Sequence, residues 1–309
     1  MLLAIDIGNT NTVLGVFDGE KLDRSWRIKT DSRSTADELV LTYRGLLADH
    51  PVDGIVACST VPAAMRELRQ MIAGYYGDLP TVLVEPGVRT GVSLQYENPK
   101  EVGADRIVNA LAAYHLVHGP AIVVDFGTST NFDVVNERGD FMGGALAPGI
   151  EISLDALAAR AAQLRMVELV EPRGPIGKNT VEALQSGILY GFAGQVDGLV
   201  RRLRDALVPD DPESVAVIAT GGLAPLVIRN SETVTRHEPD LTLLGLRLVF
   251  ERNVCHHLAL YADSAAQATE PAYKSWWPGR RRHSQPRSSA TRTASTRLRT
   301  PVFAIAADK

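Results

Sequence analysis

Ala4-Ile5-Asp6-Ile7-Gly8-Asn9-Thr10 and Val123-Val124-Asp125-Phe126-Gly127-Thr128-Ser129 present the same order of residue types twice. Each sets an Asp at the end of an apolar, strand-like run, then an apolar residue, a Gly, and short hydroxyl or amide side chains that lead into a second strand. The offset is 119 residues, about one domain length. Around the first copy, Leu2–Ile7, Thr12–Phe17 and Leu22–Ile28 read as a three-strand meander, punctuated by Gly8-Asn9-Thr10 and by the hairpin signal Asp18-Gly19. Ser34-Thr35 with Glu38 then opens a helical period carrying Leu39, Leu41, Leu46 and Leu47. Gly54–Ser59 and Thr81–Glu85 read as short buried strands on either side of a helix that starts near Pro62. The second copy repeats the plan. Ala121–Asp125 and Phe132–Val135 are strand runs, Asn136–Asp140 turns into a third strand, and Val215–Ala219 is a later strand. Helical periods cover about 150–165, 178–207 and 244–261. The expected fold class is α/β, built from two duplicated domains with mixed sheets, residues 1–117 and 118–263, with the active site in the cleft between them and a tail over 264–309.

Composition agrees with a folded chain. Of 309 residues, 45% are hydrophobic and 22% charged, ordinary for a protein with a buried core and incompatible with wholesale disorder. The apolar runs, such as Met1–Ile5 and Ala121–Val124, fall far short of the ~20 residues of a membrane-spanning helix. The chain opens on a strand-like run with no basic stretch before it, so no signal peptide is expected. Cys58 and Cys255 are its two cysteines, too few for a disulfide framework, and the expected compartment is the cytoplasm. Charge is unevenly spread. The tail carries nine Lys and Arg against two acids, a charge of +7, which leaves −11 on residues 1–263. A body that acidic lacks the clustered cations of a nucleic-acid site, so no nucleic-acid or membrane partner is expected.

The repeated turn has a chemistry. Gly permits close backbone approach, so N–H groups of the turn can converge on a phosphate, and Asn9, Thr10, Asn11 and Thr12 add side-chain donors. A carboxylate at the strand end can hold a hydrated Mg²⁺, which keeps several waters and takes one or two carboxylates. Either copy alone also reads as a plain hairpin; two copies at a domain-length offset favour the phosphate site. Thr220-Gly221-Gly222, after the strand at 215–219, is suited to lay a ribose or a flat ring against the backbone. Gly103-Ala104-Asp105-Arg106 opens a helical stretch between the repeats. There Arg can make directional bonds to a carboxylate or phosphate and Asp can accept a hydroxyl proton. A simple Asp–Arg pairing at a helix start is the competing reading. Gly177-Lys178-Asn179 is not a P-loop, because no Gly stands five residues before Gly177 and Asn179 replaces the hydroxyl residue. The seven His show no metal-ligand spacing, and neither cysteine sits in a nucleophile context.

Taken together, the D-x-G-N-T start, the GADR element, the second D-F-G-T, Gly143-Gly144-Ala145-Leu146-Ala147-Pro148-Gly149, Gly177-Lys178-Asn179-Thr180 and the late T-G-G resemble type III pantothenate kinase, over about residues 1–260. The resemblance implies two ribonuclease H-like domains of the actin/hexokinase/Hsp70 ATPase-fold superfamily. It also implies ATP-dependent phosphorylation of pantothenate to 4′-phosphopantothenate, the first step of coenzyme A synthesis. Matched by motif, Asp6, Ile7, Gly8, Asn9, Thr10, Asn11, Thr12 and Val13 would bind ATP, with Asp6 near Mg²⁺ through water. Thr128 would also contact ATP, and Asp125 would ligate a monovalent cation, K⁺ or NH₄⁺. Asp105 would accept the proton of the pantothenate hydroxyl. Tyr96, Gly103, Ala104, Asp105, Arg106 and Thr180 would bind pantothenate, Thr180 from the partner subunit of a homodimer. The alternatives are another small-molecule kinase of the superfamily, or a catalytically silent nucleotide-binding regulatory paralogue; the presence of Asp6, Asp105 and Asp125 speaks against silence. Two features depart from the family pattern. The second turn continues Thr128-Ser129-Thr130-Asn131 where the family has T-A-T-T, which changes the shape of a donor near ATP and the cation. The Ser/Thr/Arg/Pro-rich tail is read as disordered and without a catalytic role, against the alternative of a tether for an anionic partner.

Overall fold

The computed structural model describes residues 1–160 and 167–264, with side chains over 1–159 and 167–254. The tail beyond Ser264, and with it the expectation of disorder there, lies outside the described residues, as do the side chains of Cys255, His256 and His257.

In chain order the elements are β1 (Leu2–Ile7), β2 (Asn11–Asp18), β3 (Lys21–Lys29), α1 (Ala36–Leu47), β4 (Gly54–Ser59), α2 (Pro62–Tyr75) and β5 (Thr81–Leu83). There follow α3 (Ala104–Val117), β6 (Ala121–Phe126), β7 (Ser129–Val135), β8 (Phe141–Pro148), α4 (Ile150–Arg160), α5 (Thr180–Leu207), β9 (Ala216–Thr220), the single turn α6 (Ala224–Val227), β10 (Arg236–His237) and α7 (Leu241–Ser264). The strands form two five-stranded mixed sheets, ordered β3-β2-β1-β4-β5 and β8-β7-β6-β9-β10. In each, the first three strands are an antiparallel meander and the last two add on in parallel, β4 to β1 and β5 to β4 in one sheet, β9 to β6 and β10 to β9 in the other. The two sheets therefore correspond strand for strand, which is the duplication that the repeated Asp-x-Gly segments announce.

Tertiary contacts divide the chain into one unit of Met1–Arg89 with the segment from Val249, and a second of Thr90–Leu248. In the first unit, Leu3, Ile5 and Ile7 alternate toward a core shared with Leu14 and Val16 of β2, Val40, Tyr43 and Leu47 of α1, and Met65, Leu68 and Met71 of α2. Thr35 caps α1, its side chain accepting the Glu38 N–H while Glu38 reaches back to the Thr35 N–H. Leu41, expected with the apolar residues of this helix, is 72% exposed; it stands one position past Val40, which faces the core, and so about 100° around the helix from it. β5 is shorter than expected, ending at Leu83 because Glu85 leaves the sheet to pair with Arg69 of α2.

The second unit buries both faces of its sheet. Ile122, Val124, Phe126, Phe132 and Val134 pack against Phe192, Ala193, Val196 and Val200 of α5. The alternate residues Ala121, Val123 and Val135 pack with Phe141 against Ala110, Ala112 and Ala113 of α3. Strand periodicity of two therefore sends Asp125, Asn131 and Asp133 toward the α3 side.

Candidate active site

In the first unit Ile7 of β1 pairs with Thr12 of β2, and residues 8–11 form the turn between them. The Gly8 N–H donates to the Asn11 carbonyl at 3.0 Å, which leaves Asn9 and Thr10 exposed at the tip. Thr30, directly after β3, ties the turn down. Its N–H donates to the Thr10 carbonyl at 2.9 Å and its hydroxyl to the Gly8 carbonyl at 2.8 Å. The buried Thr12 hydroxyl lies 2.9 Å from that of Thr30. Asp6, two residues before Gly8, is half-buried and accepts the Cys58 thiol of neighbouring β4 at 3.3 Å.

The second unit repeats this construction with one residue fewer. Phe126 pairs with Thr130, so the turn holds residues 127–129, and the Gly127 N–H donates to the Ser129 carbonyl at 3.0 Å. Gly149, directly after β8, takes the place of Thr30, its N–H donating to the Thr128 carbonyl at 3.2 Å. A Cβ at Gly149 would stand 2.3 Å from that same oxygen, so no larger residue fits. Asp125 faces Asn131 across the antiparallel ladder and Thr220 across the parallel one, which places three oxygen-bearing side chains side by side on one face. Asn131, the departure from the family pattern, accepts the Ser129 hydroxyl at 2.6 Å. Thr220-Gly221-Gly222 turns against this group. Gly221 has φ +90°, and a Cβ there would come within 2.6 Å of Asp125 Oδ1.

The third element lies at the start of α3. Gly103 is the N-cap and Asp105 the second helical residue, where a carboxylate is favoured by the helix dipole. Burial nonetheless pushes the Asp105 carboxyl above its usual range, against the opposing pull of the backbone N–H groups and the charge of Arg106, and its Oδ1 is buried without a hydrogen-bond partner. Arg106 does not pair with Asp105, as the competing sequence reading has it. Its Nε and one Nη both lie 2.6 Å from Oδ1 of Asp133, and its guanidinium stacks 5.2 Å above the Phe141 ring. Phe141 in turn lies 6.1 Å from the ring of Tyr96. Tyr96, Gly103, Ala104, Asp105 and Arg106, expected to act together, are thus joined by Phe141 and Asp133, which sequence reasoning missed.

Asp133 is 0% exposed. Burial pushes its carboxyl up to about 7, with Asp105 adding to the rise and Arg106 opposing it. The sequence carried a signal for it: a single acid inside the apolar run Phe132-Asp133-Val134-Val135 requires a buried partner, because fully buried carboxylates are almost always paired. Two expected residues stand apart from this group. Thr180 is exposed as the first residue of α5, and Thr128 is exposed at its turn.

Gly103 and Asp105 set a test of positioning. A Cβ at residue 103 would meet Asp105 Oδ1 at 2.4 Å, so Gly103→Ala displaces the carboxyl. We expect kcat to fall by about 100-fold, the scale of a 1 Å misplacement, while the melting temperature changes by only a few degrees; wild-type kcat in the variant overturns the expectation.

Comparison with known proteins bears on the fold and on the family. A crystal structure described as a conserved putative Baf family transcriptional activator from Campylobacter jejuni shares the fold at a TM-score of 0.51 and 16% identity, covering 82% of this chain and 99% of that one. The type III pantothenate kinase of Frankia alni is 68% identical over 254 residues, 82% of this chain and 100% of the relative. Those of Salinispora arenicola and Streptomyces coelicolor are 65% and 60% identical over the same 82% share of this chain. Residues 2–202 match the family model for type III pantothenate kinase, and with two Asp-bearing turns and a GADR helix start laid out as above, the chain belongs to that family.

Proposed function

We propose that this protein transfers the γ-phosphoryl group of ATP to the 4′-hydroxyl of pantothenate, giving 4′-phosphopantothenate, the first step of coenzyme A synthesis. The observation that carries the reading is Asp105, a carboxyl with an unpartnered, buried oxygen beside an Arg at a helix start. A raised carboxyl suits a general base, and family membership names the acceptor. Asp6, Ile7, Gly8, Asn9, Thr10, Asn11, Thr12 and Val13, with Thr128, bind ATP in this reading. Tyr96, Gly103, Ala104, Arg106 and Thr180 bind pantothenate, with Thr180 supplied by the partner of a homodimer.

The donor chemistry fits the ions. Asp6 offers a single half-buried carboxylate, suited to Mg²⁺ held through water. Asp125 stands with Asn131 and Thr220 as neighbouring oxygen donors, as K⁺ or NH₄⁺ requires. When bound, the cations would supply charge neutralisation for the phosphoryl oxygens; the chain's own part in this reading is to orient the phosphates by turn N–H groups and to take the hydroxyl proton at Asp105. Homodimer formation draws support from exposed apolar side chains concentrated between residues 142 and 181, including Leu146 at 64% and Ile176 at 74%. No helix among the described residues is long and apolar enough to cross a membrane, and the cysteine content favours a cytoplasmic location.

ATP turnover with pantothenate, measured with and without K⁺, tests the reading. Potassium-dependent 4′-phosphopantothenate formation is expected. Turnover with a different hydroxyl acceptor would move the protein to another small-molecule kinase activity, and no turnover with any acceptor would make it a silent paralogue. The curated relatives align to 82% of this chain at 98–100% of their own length, so the basic tail lies beyond the shared part. Removing residues 266–309 is expected to leave kcat and both KM values within about twofold, a surface-scale effect; a larger loss assigns the tail a catalytic role.

A further inference from the structure

We propose that Asp133 is a positioning residue for the acceptor site: it fixes the Arg106 guanidinium so that Arg106's remaining N–H groups receive the anionic acceptor. Arg106 has five N–H donors in a planar fork. Nε and one Nη are committed to Oδ1 of Asp133, and the guanidinium carbon lies over the Phe141 ring, 5.2 Å from its centroid. With that edge occupied and the ring close by, the other Nη is the part left to meet a ligand. The Arg106 side chain retains 11% exposure and that of Asp133 none, so the carboxylate lies behind the guanidinium and does not itself reach substrate.

The placement follows from the strand. Asp133 shares the α3 side of β7 with Asn131, two residues earlier, and so stands about 6–7 Å along the strand from the Asp125 pair. A flexible, unpaired Arg would sample many rotamers and lose that freedom on meeting a ligand; holding it beforehand removes much of that cost. A purely stabilising ion pair at this depth is a poor explanation, since burying both charges costs about as much as their attraction returns.

Resting on the pantothenate reading, this role is tested by a kinetic cycle on the full chain. Wild-type turnover with pantothenate is measured first; its absence overturns the functional reading and the role of Asp133 with it. Given wild-type turnover, Asp133→Asn is expected to raise KM for pantothenate at least tenfold, with kcat per folded enzyme and KM for ATP within about threefold, because Asn retains an acceptor but not the charge that holds Arg106. In an Arg106→Gln background the same substitution is expected to add nothing further. A loss confined to kcat, a loss that adds in full to that of Arg106→Gln, or wild-type kinetics in Asp133→Asn overturns the positioning role while leaving the kinase reading intact. Should Asp133→Asn not fold, Arg106→Lys makes the test from the other side. Lys keeps the charge without the fork, so KM for pantothenate is expected to rise at least tenfold, and an unchanged KM overturns the role.

Discussion

Asp105→Asn is expected to lower kcat by about 10²–10⁴-fold, the contribution of a positioned general base, while the Kd for pantothenate measured by calorimetry stays within about threefold. Asn has the size of Asp and keeps one carbonyl oxygen, so contacts that depend on shape survive while proton acceptance does not. The pH dependence follows from the raised Asp105 carboxyl. The base acts when ionised, so wild-type kcat/KM falls as pH drops through its folded pKa, which lies above the ordinary carboxylate range. In Asp105→Asn that acid limb should vanish from the residual rate. Loss of pantothenate binding in place of loss of turnover would make the residue structural.

Arg106→Ala is expected to give the largest loss of stability. It strands Asp133, which is completely buried and has no hydrogen bond to its Oδ2. Breaking a buried pair by removing one partner costs about 3–5 kcal/mol, a large share of the 5–15 kcal/mol that holds an ordinary domain together. The stranded carboxyl can escape by taking a proton, and this sets the direction with pH. Its folded pKa is about 7 with Arg106 present and rises further without it, whereas the unfolded value stays near 3.9. Between these values the folded state binds a proton that the unfolded state has released, so stability falls as pH rises. Urea denaturation of Arg106→Ala should therefore show stability falling from pH 5 to pH 8 by up to about 1.4 kcal/mol per pH unit, with the deficit against wild type widening above about pH 7, where wild-type Asp133 ionises. A variant whose stability does not change over this range would mean that the Asp133 carboxyl does not change its protonation on folding.

Much of this fold is legible in the chain because its signals are local. Apolar runs mark β1 and β6, Thr35 and Glu38 mark the start of α1, and the repeated Asp-x-Gly announces two sheets that prove to share one strand order. The errors occur where polarity or distance intervenes. The start of β7 at Ser129 is hidden in sequence, since Ser129, Thr130 and Asn131 are polar although Thr130 is fully buried; strand propensity gives way there to what the site needs. Asp133 is missed for another reason. Its partner lies 27 residues away on a different element, and only the packing of α3 over the sheet reveals that Arg106 answers an acid on β7. Motif resemblance finds residues that touch substrate more readily than those that hold them still.

The duplicated turns are fastened by unlike means. In one half a threonine hydroxyl and amide bind down the loop; in the other a bare glycine amide does so, in a space that admits no side chain, over a loop shorter by one residue. The copies have consequently ceased to be interchangeable parts. A chimera carrying either hairpin in the other's position would bring the wrong fastener to the wrong span, so after gene doubling each half could diverge only together with the strand end that clasps it.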